Sequence, residues 1–228
     1  MNLGQIRGFI KSQIGETTAS NDALINSYIN WGYHEIASRR DWDWLKEVGA
    51  SITTTSGIEE YTLASDTHRI MGNLRDTTNE RYIQEFSYRQ FVKLYPNVGS
   101  TDTGSPLYWY PTELDSNGNQ LIKFYPVPNA TLTIKYDYVK RITDLSVDAD
   151  TPIVPTRYHR LLIDYGLARW YEKEREYTDS GYFNAKFENE LRQMLSDMVA
   201  ESDNESMMES TSRNYSGNTY VQDYFINL

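Results

Sequence analysis

The chain has 228 residues, of which 39% are hydrophobic and 14% aromatic, with 19 Tyr, a net charge of −10 and no cysteine. Affinity for duplex DNA through counterion release needs a local excess of Lys and Arg, and an acidic chain without a basic run is not built for stable DNA binding. The lack of cysteine excludes disulfides, thiolate metal sites and cysteine nucleophiles, and fits a protein made in a reducing cytoplasm.

Leu3, Ile6, Ile10 and Ile14 recur at helical spacing, and Gly15 closes the run as a C-cap. Ser20-Asn21-Asp22 opens a second helix whose Leu24, Tyr28, Trp31 and Ile36 share a face, with Ile25 and Ile29 beside it. It is predicted to run to Arg40, where Asp41-Trp42-Asp43-Trp44-Leu45 breaks the pattern. Residues 49–140 switch to strands and turns. Ser51 to Thr55 is β-branched, Ser56-Gly57 turns, and 61–63, 68–74 and 81–84 are further strands. A short helix over 86–94 ends before Pro96. Residues 107–110 and 121–125 flank the turn Asp115-Ser116-Asn117-Gly118-Asn119. From Ala130 to Lys140, Leu132, Ile134, Tyr136 and Tyr138 alternate with Thr131, Thr133, Lys135 and Asp137. Helical spacing returns after Pro152 and Pro155, in Tyr158, Leu161, Leu162, Tyr165 and Ala168 and then in Phe183, Phe187, Leu191, Met194 and Met198. From Asn204 the period dissolves into a polar tract that ends in Tyr220, Tyr224, Phe225 and Ile226.

Two separated amphipathic helices cannot bury their stripes alone, so the helices at both ends are predicted to form one bundle. The fold class is α+β: a helical bundle built from the N-terminal (1–46) and C-terminal (143–203) helices, an inserted antiparallel β subdomain (47–142) and an extended C-terminal arm (204–228). No apolar stretch is long enough to span a membrane, and Met1-Asn2-Leu3-Gly4 lacks a lipidation pattern, so no membrane attachment is expected.

Chemistry is sparse. His34, His68 and His159 have no paired spacing, and His34-Glu35 has no second His four residues on, so no metal site is assigned. Residues 99–104 lack the Lys-Ser/Thr ending of a phosphate loop, and no Gly-x-Ser-x-Gly elbow occurs. Asp41 and Asp43 flank Trp42, as a carboxylate pair in a sugar site would. The reading preferred here is that the tryptophans anchor the helix end while the aspartates stay solvated. No catalytic residue and no cofactor are assigned.

Three features point instead to assembly. Tyrosine, apolar in body and polar at its tip, suits surfaces buried against another protein, although it also fills strands and helix faces. Glu188, Glu190, Asp197, Glu201 and Asp203 make the last helix acidic. That is either a solvated face or, repeated around a ring, a channel wall that repels phosphate and lets DNA pass unbound. Tyr220, Tyr224, Phe225 and Ile226 form a candidate docking arm that reaches a neighbour or folds back on its own domain.

An ordered set of segments carries a family resemblance: Tyr28-Ile29-Asn30-Trp31 with Glu35-Ile36; Arg39-Arg40-Asp41-Trp42-Asp43-Trp44-Leu45; Tyr61-Thr62-Leu63 leading into Ile70; Gly104-Ser105-Pro106-Leu107-Tyr108; Phe124-Tyr125-Pro126-Val127-Pro128; and Ile153-Val154-Pro155-Thr156-Arg157-Tyr158-His159. Over residues 3–200 the chain resembles the head-to-tail adaptor (connector) proteins of tailed phages, particularly short-tailed ones. The resemblance implies a virion structural subunit at the head-to-tail interface. It implies a ring, often a dodecamer, that binds below the portal protein, extends the DNA channel and docks tail or nozzle proteins. It carries over no catalytic residue, and the tail after Asn204 departs from the common pattern. The competing readings are a virion-associated polysaccharide or cell-wall hydrolase, another neck ring protein such as a stopper or tail-tube ring, and a monomeric peptide-binding module.

Overall fold

The computed structural model describes residues 1–95 and 102–199. In chain order the elements are α1 (Leu3–Ile14), α2 (Asp22–Ser38), β1 (Lys46–Thr53), β2 (Glu60–Thr62), β3 (Thr67–Asp76), β4 (Arg81–Glu85), α3 (Tyr88–Leu94), β5 (Thr103–Gly104), β6 (Tyr108–Leu114), β7 (Gln120–Tyr125), β8 (Val127–Pro128), β9 (Thr133–Lys140), α4 (Arg160–Lys173) and α5 (Tyr177–Val199). Two compact units result: Met1–Ile36 with the described residues from Leu145, and Ala37–Asp144. The architecture is α+β, terminal helices bracketing a strand-rich insertion, as the periodicity predicts. The arm, 204–228, lies outside the described residues.

In the helical unit, α1 starts on a reciprocal cap. The Asn2 side chain accepts from Gln5 N–H at 2.9 Å, and the Gln5 side chain accepts from Asn2 N–H at 3.0 Å. Its first-turn amides of Leu3 and Gly4 donate to the carbonyls of Asp150 (2.8 Å) and Asp148 (3.1 Å), so donors that a helix cannot satisfy internally are used to fasten it. Gly15 ends it at φ 70°, a left-handed conformation that glycine adopts without steric cost. Leu3, Ile6 and Ile10 are fully buried.

The buried face of α2 is Ile25, Tyr28, Ile29, Gly32, Tyr33 and Ile36, rotated from the predicted stripe: Leu24 is half-buried and Trp31 is 55% exposed. Gly32 explains the rotation. A Cβ there would lie 2.9 Å from the Tyr165 ring of α4, so the missing side chain is what lets the two helices approach. Gly166 does the same against α1, where a Cβ would lie 2.5 Å from Ile10 Cδ1. Buried Asn30 clamps Leu145, donating to its carbonyl at 3.1 Å and accepting from its amide at 2.9 Å. Phe187, Leu191 and Met194 form the buried stripe of α5, with Phe187 edge-on to Tyr165 at 5.1 Å.

In the β unit, seven strands run in the order β1-β9-β3-β4-β6-β7-β2. Every pair is antiparallel except β4–β6, which is parallel because the chain crosses over through α3 between them. A separate short parallel pair joins β5 to β8. The sheet curls on itself: Ile52 of edge strand β1 and Leu63, next to the opposite edge strand β2, belong to one buried cluster with Leu74, Ile83, Trp109, Ile122, Phe124 and Ile134. The alternation read in β9 holds, with Leu132, Ile134, Tyr136 and Tyr138 all buried. The helix predicted over 86–94 starts at Tyr88, because Ser87 caps it with Gln90 completing the box. The 115–119 turn is closed by Asp115, whose carboxylate accepts from the amides of Asn117 and Asn119, both at 2.8 Å. Those bonds, the Asn119 amide foremost, hold its pKa below the ordinary 3.8.

Candidate assembly surfaces

Successive residues of a helix turn by about 100°. Glu190 and Asp197 of α5 therefore lie on one flank of the buried Phe187, Leu191 and Met194 stripe, and Glu188 lies on the other. Asp197 is exposed. Tyr158 Oη donates to it at 2.6 Å, and Arg157 Nη2 stands 3.6 Å away. Glu190 is half-buried with Arg160 Nε at 3.8 Å. Burial pushes its pKa up, and the negative charge of Asp164 pushes it further. Glu188 is half-buried. Glu201 and Asp203, and the arm residues Tyr220, Tyr224, Phe225 and Ile226, lie outside the described residues.

Asp164 is the feature that sequence reasoning missed. It is 2% exposed, with Lys186 Nζ 2.9 Å from Oδ1 and Arg160 Nε 3.7 Å from Oδ2. Its signal was present: it sits three residues after Leu161 and three before Leu167, both buried on the same helix, a register that places a carboxylate in the core. Beside it, Phe9, Ile163, Leu167 and Phe183 line a cavity of about 370 Å³ that Lys186 and Arg160 also border. Large aromatic side chains of this unit are exposed: Phe9 is 54%, Trp31 55%, Tyr182 63% and Tyr177 69% exposed. Tyr182 stands edge-on to Phe183 at 5.1 Å, and Trp31 packs on Tyr28 at 5.4 Å.

Tyrosine divides between the core and the surface. Tyr33, Tyr110, Tyr136 and Tyr138 are core residues, and Tyr95, Tyr110 and Tyr125 surround Phe91 of α3 with ring centroids 4.5–5.4 Å away. Tyr82, Tyr88, Tyr177 and Tyr182 stay exposed.

Trp42 is buried and stacks on Trp44 at 5.9 Å, while Asp41 and Asp43 are exposed. The two carboxylates have different partners: Asp41 pairs with Arg69 and Asp43 with Lys46 Nζ at 2.5 Å. Each is thus bound to a cation of its own. His34 and His68 are exposed, on α2 and β3. His159 is 1% exposed, with Nε2 2.8 Å from the Val154 carbonyl and Nδ1 2.7 Å from the Met1 amino nitrogen. Burial holds its pKa below the ordinary 6.5, and the positive charge of Met1 adds to this. A neutral ring that donates from Nε2 and accepts at Nδ1 satisfies both contacts. Among the described residues no three His, Asp or Glu converge in a metal-binding group, and no helix is long and apolar enough to cross a membrane.

The mouth of the curled sheet holds a cavity of about 830 Å³, floored by Leu63, Ile70, Trp109 and Ile122 and rimmed by Arg40, Lys46 and Arg69. Its residues are scattered from 40 to 122, so no local motif announces it.

No curated protein matches the chain. The SU10 adaptor protein family matches residues 1–215, which takes in both units, and the chain is accordingly a member of that family of structural phage adaptor proteins.

Proposed function

We propose that this adaptor works as one copy in a closed ring, a dodecamer by its resemblance to head-to-tail connectors, that binds below the portal protein, extends the DNA channel and docks tail or nozzle proteins. The observation that carries this reading is the exposed apolar set on the helical unit, Phe9, Trp31, Tyr177 and Tyr182. Aromatic anchors carry much of the binding energy at protein interfaces, which supports these side chains as contact residues. They lie on three helices, α1, α2 and α5, and a head-to-tail contact that closes a ring draws on two different surfaces of one chain.

The acidic residues of α5, Glu188, Glu190 and Asp197, with Glu201 and Asp203 after them in the sequence, are the proposed channel wall. A chain of net charge −10 repeated around an opening repels the DNA it surrounds, so duplex passes without stable binding. The arm, through Tyr220, Tyr224, Phe225 and Ile226, is proposed to dock on a neighbour. Electron microscopy of the purified chain, alone and with portal protein, tests the reading. A ring with a duplex-wide channel that sits on the portal is expected. A chain that stays monomeric in both, or that joins the portal only after another ring has bound, overturns it.

A further inference from the structure

In the helical unit, α1 and α5 both pack on α4, and the cavity of about 370 Å³ beside Asp164 lies where the three helices meet. Its wall is drawn from all of them, and its apolar surface is open to solvent. Phe9 of α1 is 54% exposed, and Ile163 of α4 and Phe183 of α5 are half-buried. The cations on its border are already engaged, Lys186 with Asp164, and Arg160 with Asp164 and Glu190. What the groove offers is therefore apolar contact between helices, the kind of surface that takes the apolar face of an amphipathic helix.

We propose that this groove seats residues 219–228 of the chain, bound as a short helix. That segment carries the pattern such a groove reads. Tyr220, Val221, Tyr224, Phe225 and Leu228 recur at the spacing of one helical face, Gln222, Asp223 and Asn227 fall outside it, and Ile226 alone departs from the division. Thr219 and Gln222 stand at the two positions of a capping box that opens a helix at Tyr220. A helix this short is marginal in water, so it needs a surface to form on. The length of the intervening chain fits as well. From Phe183, at the groove, to Val199, α5 rises roughly 24 Å. A flexible chain as long as residues 200–219 spans roughly 22–27 Å between its ends, and a tether whose span matches the distance to its site gives the highest effective concentration there. The inference rests on the arm as a docking element, as proposed above, and the ring decides only which copy supplies it.

The test is photocrosslinking in the full chain, with p-benzoylphenylalanine placed at Tyr224, on the apolar face, in one preparation and at Asp223, on the other face, in a second. Light and heavy isotope-labelled copies are mixed before assembly, and native mass spectrometry of the same samples reports the ring. The Tyr224 preparation should give adducts on residues 9–13, 160–167 or 183–186, in a yield well above that from Asp223. Phe9→Glu, at a side chain more than half exposed, should cut the Tyr224 yield about tenfold, and Phe225→Ser, made on the segment itself, should do the same. Adducts on the β unit, no adduct on the groove, equal yields from the two positions, or a yield indifferent to both variants overturns the proposal. Groove adducts between light and heavy chains support it with the segment supplied by a neighbour, as the ring reading has it. Groove adducts within one chain support it and remove the arm from the neighbour. A chain that native mass spectrometry finds monomeric, with its adducts on the groove, sinks the ring reading and keeps the docking.

Discussion

Asp164 and Glu190 are two carboxylates near the same two cations, and their surroundings give them opposite consequences. Asp164 is buried and compensated chiefly by Lys186 at 2.9 Å. Removing that partner in Lys186→Met leaves a buried charge with Arg160 at 3.7 Å as its remaining ion pair, and breaking buried pairs typically costs about 3–5 kcal/mol. A loss near the lower end of that range is expected as a shift of the denaturant midpoint at unchanged m. Glu190 is held ionised against burial and against Asp164, so its folded pKa lies above the unfolded value. Such an acid opposes folding as pH rises past its unfolded pKa. Glu190→Gln should therefore leave stability at neutral pH unchanged or raise it slightly. His159 works in the opposite direction on the pH axis. Its folded pKa lies below 6.5, so the unfolded chain takes up a proton that the folded chain resists. Its share of stability is intact above about pH 6.5 and declines as pH falls below that value. The wild-type melting temperature should fall more steeply between pH 7 and pH 5 than that of His159→Gln, and equal slopes would remove His159 from the account.

At the scale of elements, the sequence revealed what repeats and missed what is placed by distant partners. The stripes of α1 and α5, the alternation of β9 and the 115–119 turn were legible because period and local hydrogen bonding dictate them. The face of α2 was read one step off because Trp31 is as apolar as its neighbours, and what turns it outward is a glycine admitting Tyr165 from a helix more than a hundred residues away. The parallel β4–β6 pair was equally hidden, since strand order is set by the crossover through α3 and not by either strand's own pattern. Of the candidate site, the acidic residues of α5 were visible as composition. The buried Asp164 network and the sheet-mouth cavity, assembled from scattered positions, were not. Gly32 makes the dependence measurable. Gly32→Ala puts a Cβ at 2.9 Å from the Tyr165 ring, and overpacking of this kind costs about 1–3 kcal/mol, against the gain in helix propensity that alanine would bring at an open site. A stabilised Gly32→Ala protein would show that the two helices are free to part.

At the scale of the whole molecule, the fold and the assembly can be separated by where apolar area is spent. Phe187 is 1% exposed in the stripe joining α5 to α4, and Phe187→Ala should cost about 3–5 kcal/mol whether or not a ring forms. Phe9, Trp31 and Tyr182 are more than half exposed, so replacing them with serine removes little that the isolated subunit buries, and its melting temperature should hold or rise. In a ring the same side chains are the ones a neighbour would cover, and interface energy concentrates in a few such aromatics. The triple variant Phe9→Ser, Trp31→Ser, Tyr182→Ser should therefore keep its cooperative melt while native mass spectrometry shows the ring lost. A chain ending at residue 203 divides the remaining possibilities. It should melt as the full chain does yet assemble poorly, since the arm is assigned to a neighbour and not to the core. Loss of the cooperative melt in that shortened chain would mean that residues 204–228 complete their own subunit, and the aromatic surfaces of the helical unit would then have to close the ring unaided.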